Sequence, residues 1–518
     1  MTSYPRIYNA AADMVDRNVA EGRAAKVAFV DADESLAYGE LQARCNRMAN
    51  LLATYQLPRE SRIALLLLDT VDFPVAFWGA IKAGVVPVCL NTLLTAEQYA
   101  YILADCRARA LFVSHQLLPS VQSALGQLPF LKHIFVSAGP PPAFALSLRA
   151  ELGLQGERSE AAETACDETA FWLYSSGSTG MPKGVRHVHS SPMETARLCG
   201  QQCLGVCEED VIFSAAKLFF AYGLGNAMSF PLSVGASSVL LPERPTPQAV
   251  FRVLRDHQPS LFFGVPTLYA AMLAYPEGTP ENGSRRLRLC VSAGEALPAE
   301  VGKAMRAKFG VDVLDGVGST EMLHQYVCNS PGRVRYGTSG LPVPGYEIRL
   351  VDEQGREVAD GEVGEMLVKG PSAAEGYWNQ REKSRATFEG SWTRTGDKYT
   401  RDADGYYTYQ GRTDDMFKVS GIWVSPFEVE STLIGHAAVL EAAVVPKADG
   451  DGLLKPKAFV VLKPGAAVGK GLVEELREHV KTRAGPWKYP RWVEFVDGLP
   501  KTATGKIQRF KLRGPEIA

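Results

Sequence analysis

No apolar run in this chain reaches the length of a membrane-spanning helix; the densest, Val75 to Leu90, is interrupted by Lys82 and Gly84. The first residues, Met-Thr-Ser-Tyr-Pro-Arg, lack the apolar core of a signal peptide, so a cytoplasmic protein is expected. An excess of either charge is also missing. Lys and Arg number 55 against 57 Asp and Glu, a net −2, which removes any global electrostatic case for nucleic acid or an anionic membrane and points to small-molecule chemistry. Cysteines are few and odd in number, nine between Cys45 and Cys328, as expected of reduced thiols in an intracellular chain. Metal clusters normally use tight Cys-x2-Cys turns; here Cys199, Cys203 and Cys207 recur every fourth residue, which places them on one helix face as core thiols. There are no internal repeats.

What is present is alternation. With 518 residues the chain exceeds what one core organises, so at least two domains are expected. From Lys26 to about Ser137 strand-like runs (Lys26 to Val30, Arg62 to Leu68, Ala110 to Val113) alternate with helices starting at Tyr38, ending near Ala83, and opening at the capping box Thr95-Ala-Glu-Gln98. Gly139-Pro-Pro-Pro142 and the Glu/Ala-rich segment after it read as a surface excursion. A second α/β stretch runs from Phe171 to about Val317. Short Gly-punctuated strands follow (Tyr346 to Val351, Glu365 to Lys369, Tyr406 to Tyr409) and suggest a small barrel, and after Gly411-Arg412 a domain-sized α/β pattern returns.

Tyr174-Ser-Ser-Gly-Ser-Thr-Gly-Met-Pro-Lys-Gly184 gathers hydroxyls, glycines and one lysine behind the buried strand Ala170 to Tyr174. Glycine admits close backbone approach, hydroxyls and N–H groups donate to phosphate oxygens, and lysine adds a mobile charge. A Walker A loop is excluded, because Pro182 stands where its glycine belongs and Lys183 precedes Gly184 instead of Ser or Thr. Taken alone, the composition is also that of a Ser/Gly surface turn. Gly316-Val-Gly-Ser-Thr-Glu321 offers a hydroxyl for a phosphate and a carboxylate for Mg²⁺. Thr395-Gly-Asp397 and Gly411-Arg412 supply a carboxylate and a guanidinium for ribose hydroxyls. Pro500-Lys-Thr-Ala-Thr-Gly-Lys506 presents a lysine after a Thr-Gly turn, or else a solvated basic terminus.

In this order, over essentially the whole length, these motifs resemble the adenylate-forming superfamily of acyl-CoA synthetases, firefly luciferases and peptide-synthetase adenylation domains. More narrowly, Asn9-Ala-Ala, Lys217-Leu-Phe-Phe-Ala-Tyr-Gly-Leu-Gly225 and Asp315-Gly-Val-Gly-Ser-Thr-Glu-Met-Leu-His324 look like benzoate-CoA ligases. The resemblance implies an α/β fold: a large N-terminal domain (1–412) of two α/β subdomains and a small β-barrel, then a small mobile α/β domain (413–518) turning about Asp414. It implies ATP, Mg²⁺ and CoA, an aromatic carboxylate made into an adenylate and then a thioester in aromatic compound degradation, and a possible homodimer. A carrier-protein thiol, or a different acid, is the alternative.

Roles follow by the same resemblance. Lys506 bridges carboxylate and α-phosphate, Thr320 binds the α-phosphate and Glu321 the metal. Ser175, Ser176, Gly177, Ser178, Thr179, Gly180 and Lys183 cover the β- and γ-phosphates. Gly294, Glu295 and Ala296 line the adenine with Asp315, Gly316, Val317, Gly318 and Ser319; Val317 stands where many relatives have an aromatic. Asp397 and Arg412 hold the ribose. Lys418 and Gly421 serve the thioester step, with Trp423 flanking the pantetheine tunnel or packing between domains. Ala221, Tyr222, Gly318, His324 and Gln325 line the acyl pocket. Relatives place an apolar residue at Gln325; a partnerless buried amide there would favour ring hydroxyl or amino substituents, or else the amide turns away and bonds backbone or water.

Overall fold

The computed structural model describes residues 4–175, 181–412, 415–419, 422–450, 453–466, 468–469, 471–501 and 507–513, without the side chains of Gln127, Lys418, Ile422, Trp423 and Phe510. Ser176 to Gly180, Asp414, Gly421 and Lys506 thus lie outside the described residues.

The first sheet runs Gly376–Tyr377, Lys183–Val188, Thr169–Ser175, Val86–Cys89, Arg62–Leu66, Ala110–Ser114, His133–Ser137, Leu146–Ser147. It is parallel from Thr169–Ser175 onward, with the strands at Lys183 and Gly376 added antiparallel. The apolar run of Val75 to Leu90 is explained here. Helix Asp72–Lys82 is buried from Phe73 through Lys82 and feeds the buried strand Val86–Cys89, so the run is a core crossover. Its lysine is tolerated because Lys82 Nζ, 3% exposed, bonds both carboxylate oxygens of Asp16 at 2.8 Å. No helix of the described residues is long and apolar enough to cross a membrane.

The second sheet has nine strands: Leu341–Pro342, Gln325–Cys328, Val313–Gly318, Leu289–Ser292, Leu261–Gly264, Val211–Ser214, Ser237–Val239, Val27–Val30, Ser35–Ala37. Chain order misleads at one point. Val27–Val30, expected to open the first α/β stretch, pairs in parallel with Ser237–Val239, and Tyr38 at the next helix start donates its hydroxyl to Ala236 O. The region read as a small barrel forms a five-stranded antiparallel sheet of Glu347–Val351, Gly364–Lys369, Trp392–Arg401, Phe388–Glu389 and Tyr407–Arg412.

Beyond it, hairpin Phe417–Val419/Ile422–Val424 leads to helix Pro426–Ile434, antiparallel strands Val439–Ala448 and Leu454–Leu462, helix Leu472–Ala484, and strand Trp492–Phe495 parallel to Leu454–Leu462. This part has its own core around Val424, Val429, Leu433, Val444, Val460, Leu476 and Val480.

The cysteine reading needs one correction. Cys199 and Cys203 are buried in a π-helix, Ala196–Cys203, but Cys207 lies beyond its end, exposed, with its thiol 3.4 Å from Asp210 Oδ2. Gly205, at φ +66, turns the chain out of the helix before the third cysteine is reached. Among the described residues no group of three or more His, Cys, Asp or Glu is placed to hold a metal ion.

Candidate active site

Strand Thr169–Ser175 ends where the hydroxyl-rich loop begins, and strand Val313–Gly318 ends at the turn Thr320–Met322; both ends face one cluster. The turn is capped by Ser319, whose Oγ accepts from Met322 N at 3.3 Å. Glu321 Oε1 accepts the Tyr377 hydroxyl at 2.8 Å, and that hydroxyl accepts from Lys183 Nζ, also at 2.8 Å. Lys183 Nζ stands 3.4 Å from the same Oε1 and 4.1 Å from the Tyr377 ring centre. Burial, then the nearby Glu321 charge, holds the phenol well above its ordinary pKa, so it stays a neutral donor. Lys183 and Glu321 were expected from sequence; Tyr377 was not. Its signal is faint: a two-residue strand, Gly376–Tyr377, paired to Arg186 and Val185. Ser175 Oγ, at the head of the loop, is buried without a hydrogen-bond partner.

The expected ribose pair is also assembled. Asp397 and Arg412 face each other on neighbouring strands, with Nη1 3.1 Å from Oδ1 and from Thr395 O.

The remaining candidates share one antiparallel pair, Val313–Gly318 with Gln325–Cys328. Asp315 is 4% exposed and its Oδ1 has no hydrogen-bond partner; burial pushes its carboxyl up to about 8. Across the pair, His324 is 2% exposed, and burial brings its imidazole down to about 3. His324 is therefore neutral, its Nε2–H donating to Asn226 Oδ1 at 2.9 Å. A Cβ on Gly225 would lie 2.3 Å from His324 Cδ2, so only glycine admits the ring. Ala221 opens a short helix beside it, and Tyr222 donates to Val291 O at 3.1 Å with its ring 5.5 Å from that of His324.

Of the two readings open for Gln325, the structure shows the amide bonded within the protein. Its Nε2 donates to Ser292 O at 3.2 Å and its Oε1 faces the Cys199 thiol at 3.9 Å, in the space where a Cβ on Gly316 would stand. The amide is thus engaged within the protein. Glu295, following Gly294 and preceding Ala296, accepts Ile507 N–H at 2.9 Å.

Two family models match the chain: AMP-binding enzyme over residues 16–378, and AMP-binding enzyme C-terminal domain over 428–506. The chain belongs to the AMP-binding enzyme family. This AMP-binding enzyme is 59% identical over 509 residues to a 4-hydroxybenzoate–CoA/benzoate–CoA ligase of Rhodopseudomonas palustris, covering 98% of this chain and 94% of the relative. It is 57% identical to a benzoate–CoA ligase of Thauera aromatica, covering 98% and 96%. Among solved structures, an anthranilate CoA ligase, AuaEII, in complex with anthranoyl-AMP superposes with a TM-score of 0.96 at 44% identity, covering 98% of this chain and 97% of that one. A benzoate CoA ligase from Burkholderia xenovorans gives 0.92 at 52%, covering 98% and 100%.

Two expectations follow. Tyr377→Phe keeps the ring but removes the hydroxyl shared by Lys183 and Glu321. Hydrogen bonds to charged groups are worth about 1.5–3 kcal/mol, so calorimetry is expected to find ATP weakened by about tenfold and AMP, which lacks the outer phosphates, unchanged. Equal weakening of both would remove the hydroxyl from the phosphate end. The second concerns Asp315. Its folded pKa is raised, so its contribution to stability is complete below the ordinary carboxylate range and is lost as pH rises through about 8. Between pH 7 and 9 the protein is expected to lose about 1 kcal/mol relative to Asp315→Asn. Urea midpoints of the two at each pH test it; a constant difference would refute the buried neutral acid.

Proposed function

We propose that this chain is an AMP-forming ligase that converts an aromatic carboxylate, benzoate or a hydroxy- or aminobenzoate, to its adenylate and then to a CoA thioester. One observation carries the reading: a single strand pair bears phosphate-facing residues at the Thr320–Met322 turn and a buried, uncharged, ring-bearing wall at His324. A ligand reaching both is an anion at one end and a flat neutral ring at the other. The names of the relatives support the same class.

A carboxylate is a poor acyl donor because oxide leaves badly. Its oxygen attacks the α-phosphorus of ATP, pyrophosphate departs, and the CoA sulfur then attacks the acyl carbon with AMP leaving. Lys506 supplies positive charge where the two anions meet, and Thr320 donates to the α-phosphate. The loop Ser175 to Lys183 covers the β- and γ-phosphates. The partnerless Ser175 Oγ and the poised Lys183 ammonium fit that task. Glu321 fits a hard cation: it offers carboxylate oxygen, and Mg²⁺ commonly takes one or two carboxylates beside substrate phosphates. Mg²⁺ would supply charge neutralisation on those phosphates. Arg412 orients Asp397 toward the ribose hydroxyls. Residues 1–412 and 413–518 act as two domains turning about Asp414, and Lys418 and Gly421 serve the thiol step.

Ring acids are expected to drive pyrophosphate exchange with ATP, and CoA to drive AMP release. Exchange with chain acids but not ring acids would overturn the reading. Because Gln325 is already engaged, Gln325→Ile is expected to change the kcat/KM ratios among benzoate, hydroxybenzoates and aminobenzoates by less than about threefold. A larger change would return the ring to that amide. Lys506→Ala is expected to slow adenylation by roughly a hundredfold and to spare conversion of supplied benzoyl-adenylate with CoA; equal loss in both would refute its role.

A further inference from the structure

Glu295 leaves the adenine-lining segment and reaches the C-terminal part of the chain, where its Oε1 accepts the backbone N–H of Ile507 at 2.9 Å. Ile507 follows Lys506 directly. The segment it belongs to is held firmly on its own side: Ile507 bridges Lys501, Gln508 N donates to Pro500 O at 2.8 Å, and Arg509 grips Glu430 through Nε–Oε1 at 2.9 Å and Nη2–Oε2 at 2.6 Å. A bond to Ile507 therefore positions this whole edge of the C-terminal part.

The surroundings of that bond are incompletely filled. A cavity of about 70 Å³ lies beside it, walled by Pro266, Ala270 and Pro298 from one side and by Phe427, Ile434 and Leu440 from the other. The cleft is partly open to solvent, so the apolar side chains that wall it do not close over the bond. A carboxylate accepting a backbone N–H is a charge-assisted bond, roughly twice as strong as a neutral one. It thus adds a directional contact to the apolar ones, such as Tyr409 against Phe427, that hold the two parts together here.

We propose that Glu295 is a positioning residue that docks the Lys506-bearing segment for adenylation, acting through the Ile507 amide. The inference rests on the aryl-CoA ligase reading and adds to it a determinant of which half-reaction the enzyme is arranged for. An open cleft beside one strong polar bond suits an interface that must form and then be left in every cycle.

The test uses the full-length enzyme with Glu295→Ala, Glu295→Asp and Glu295→Gln. In Glu295→Ala, hydrogen exchange at the Ile507 amide in the nucleotide-free enzyme is expected to speed up by about tenfold. Benzoate-dependent pyrophosphate exchange at saturating ATP is expected to fall by a similar factor, and by clearly more than thioester formation from saturating benzoyl-adenylate and CoA. Glu295→Asp, whose oxygen is withdrawn, should behave alike if the alanine variant does not fold. Glu295→Gln keeps an oxygen acceptor and is expected to restore exchange to within about threefold. Unchanged Ile507 protection in the alanine and aspartate variants, or equal loss of both half-reactions, would overturn the proposal. Absence of acid-dependent exchange in the wild type would instead overturn the ligase reading, and the Ile507 amide would still report on docking.

Discussion

The hydroxyl of Tyr377 stands between a lysine carried by the first sheet and a glutamate at the end of a strand of the second, and the phosphate end of the site depends on that bridge. Parallel strands gather their following loops at one edge, which is where open α/β sheets bind ligands. Two sheets give two such edges, and something must hold them in register. The segment before Tyr377 does so by backbone as well: Ala374 N donates to Glu321 O at 2.8 Å and Ser372 Oγ to Met322 O at 2.7 Å. Tyr377 extends this seam to the side chains, sharing one neutral donor between a cation and an anion that would otherwise pair alone.

Charge is distributed along the site in a consistent way. At the phosphate end Lys183 and Glu321 are joined through the phenol, and Arg412 lies against Asp397. Toward the interior the residues are titratable by name and neutral by circumstance. Burial brings His324 down to about 3 and lifts Asp315 to about 8, and it holds the Tyr222 phenol well above its usual range. At neutral pH these groups offer hydrogen bonds without net charge. Such a wall accepts a purine or an uncharged ring and repels a second carboxylate, whose desolvation nothing there would offset. If these residues line the acyl pocket as proposed, burial selects for an aromatic acid as much as shape does.

Lys183, Glu321, Asp397 and Arg412 were named from local sequence, and the structure brings Lys183 to Glu321 and Arg412 to Asp397. The Ser175 to Lys183 loop, the Thr320-Glu321 turn and the Asp397 and Arg412 strands each declare themselves by glycines and charges within a few residues. Tyr377 did not, because a tyrosine in a two-residue strand has no pattern; its role exists only after an edge strand pairs with Val185. Gln325 was legible as an oddity with two outcomes open, reading the ring or bonding backbone, and sequence could not choose between them. A buried amide demands partners, but Ser292 O, on the neighbouring strand, could not be foreseen from spacing. Val27–Val30 was recognised as a strand and assigned to the wrong neighbourhood, since element order does not reveal which of two sheets a strand joins. Cys207 failed for a local reason, a helix ended by a left-handed glycine one turn early.

The junction between the large and small parts follows from what each already possesses. The C-terminal part has its own core, and it meets its neighbour through a smaller apolar contact, Ile434 against the second sheet's core and the Phe427 ring 5.3 Å from that of Tyr409. Its charges are largely consumed internally. Arg509 is paired with Glu430 and lies 3.7 Å from Asp415, and Arg513 also bonds Asp415. Asp415 follows Asp414 directly, so these ions tie the start of the small domain to its far end and would move with it as one body. The proposed rotation would leave that cluster intact and fall on bonds that cross to the preceding part of the chain, of which Glu295 to Ile507 is one. Under the proposed rotation, ion pairs that lie within the turning part survive each turn, and only contacts between the parts have to break and re-form.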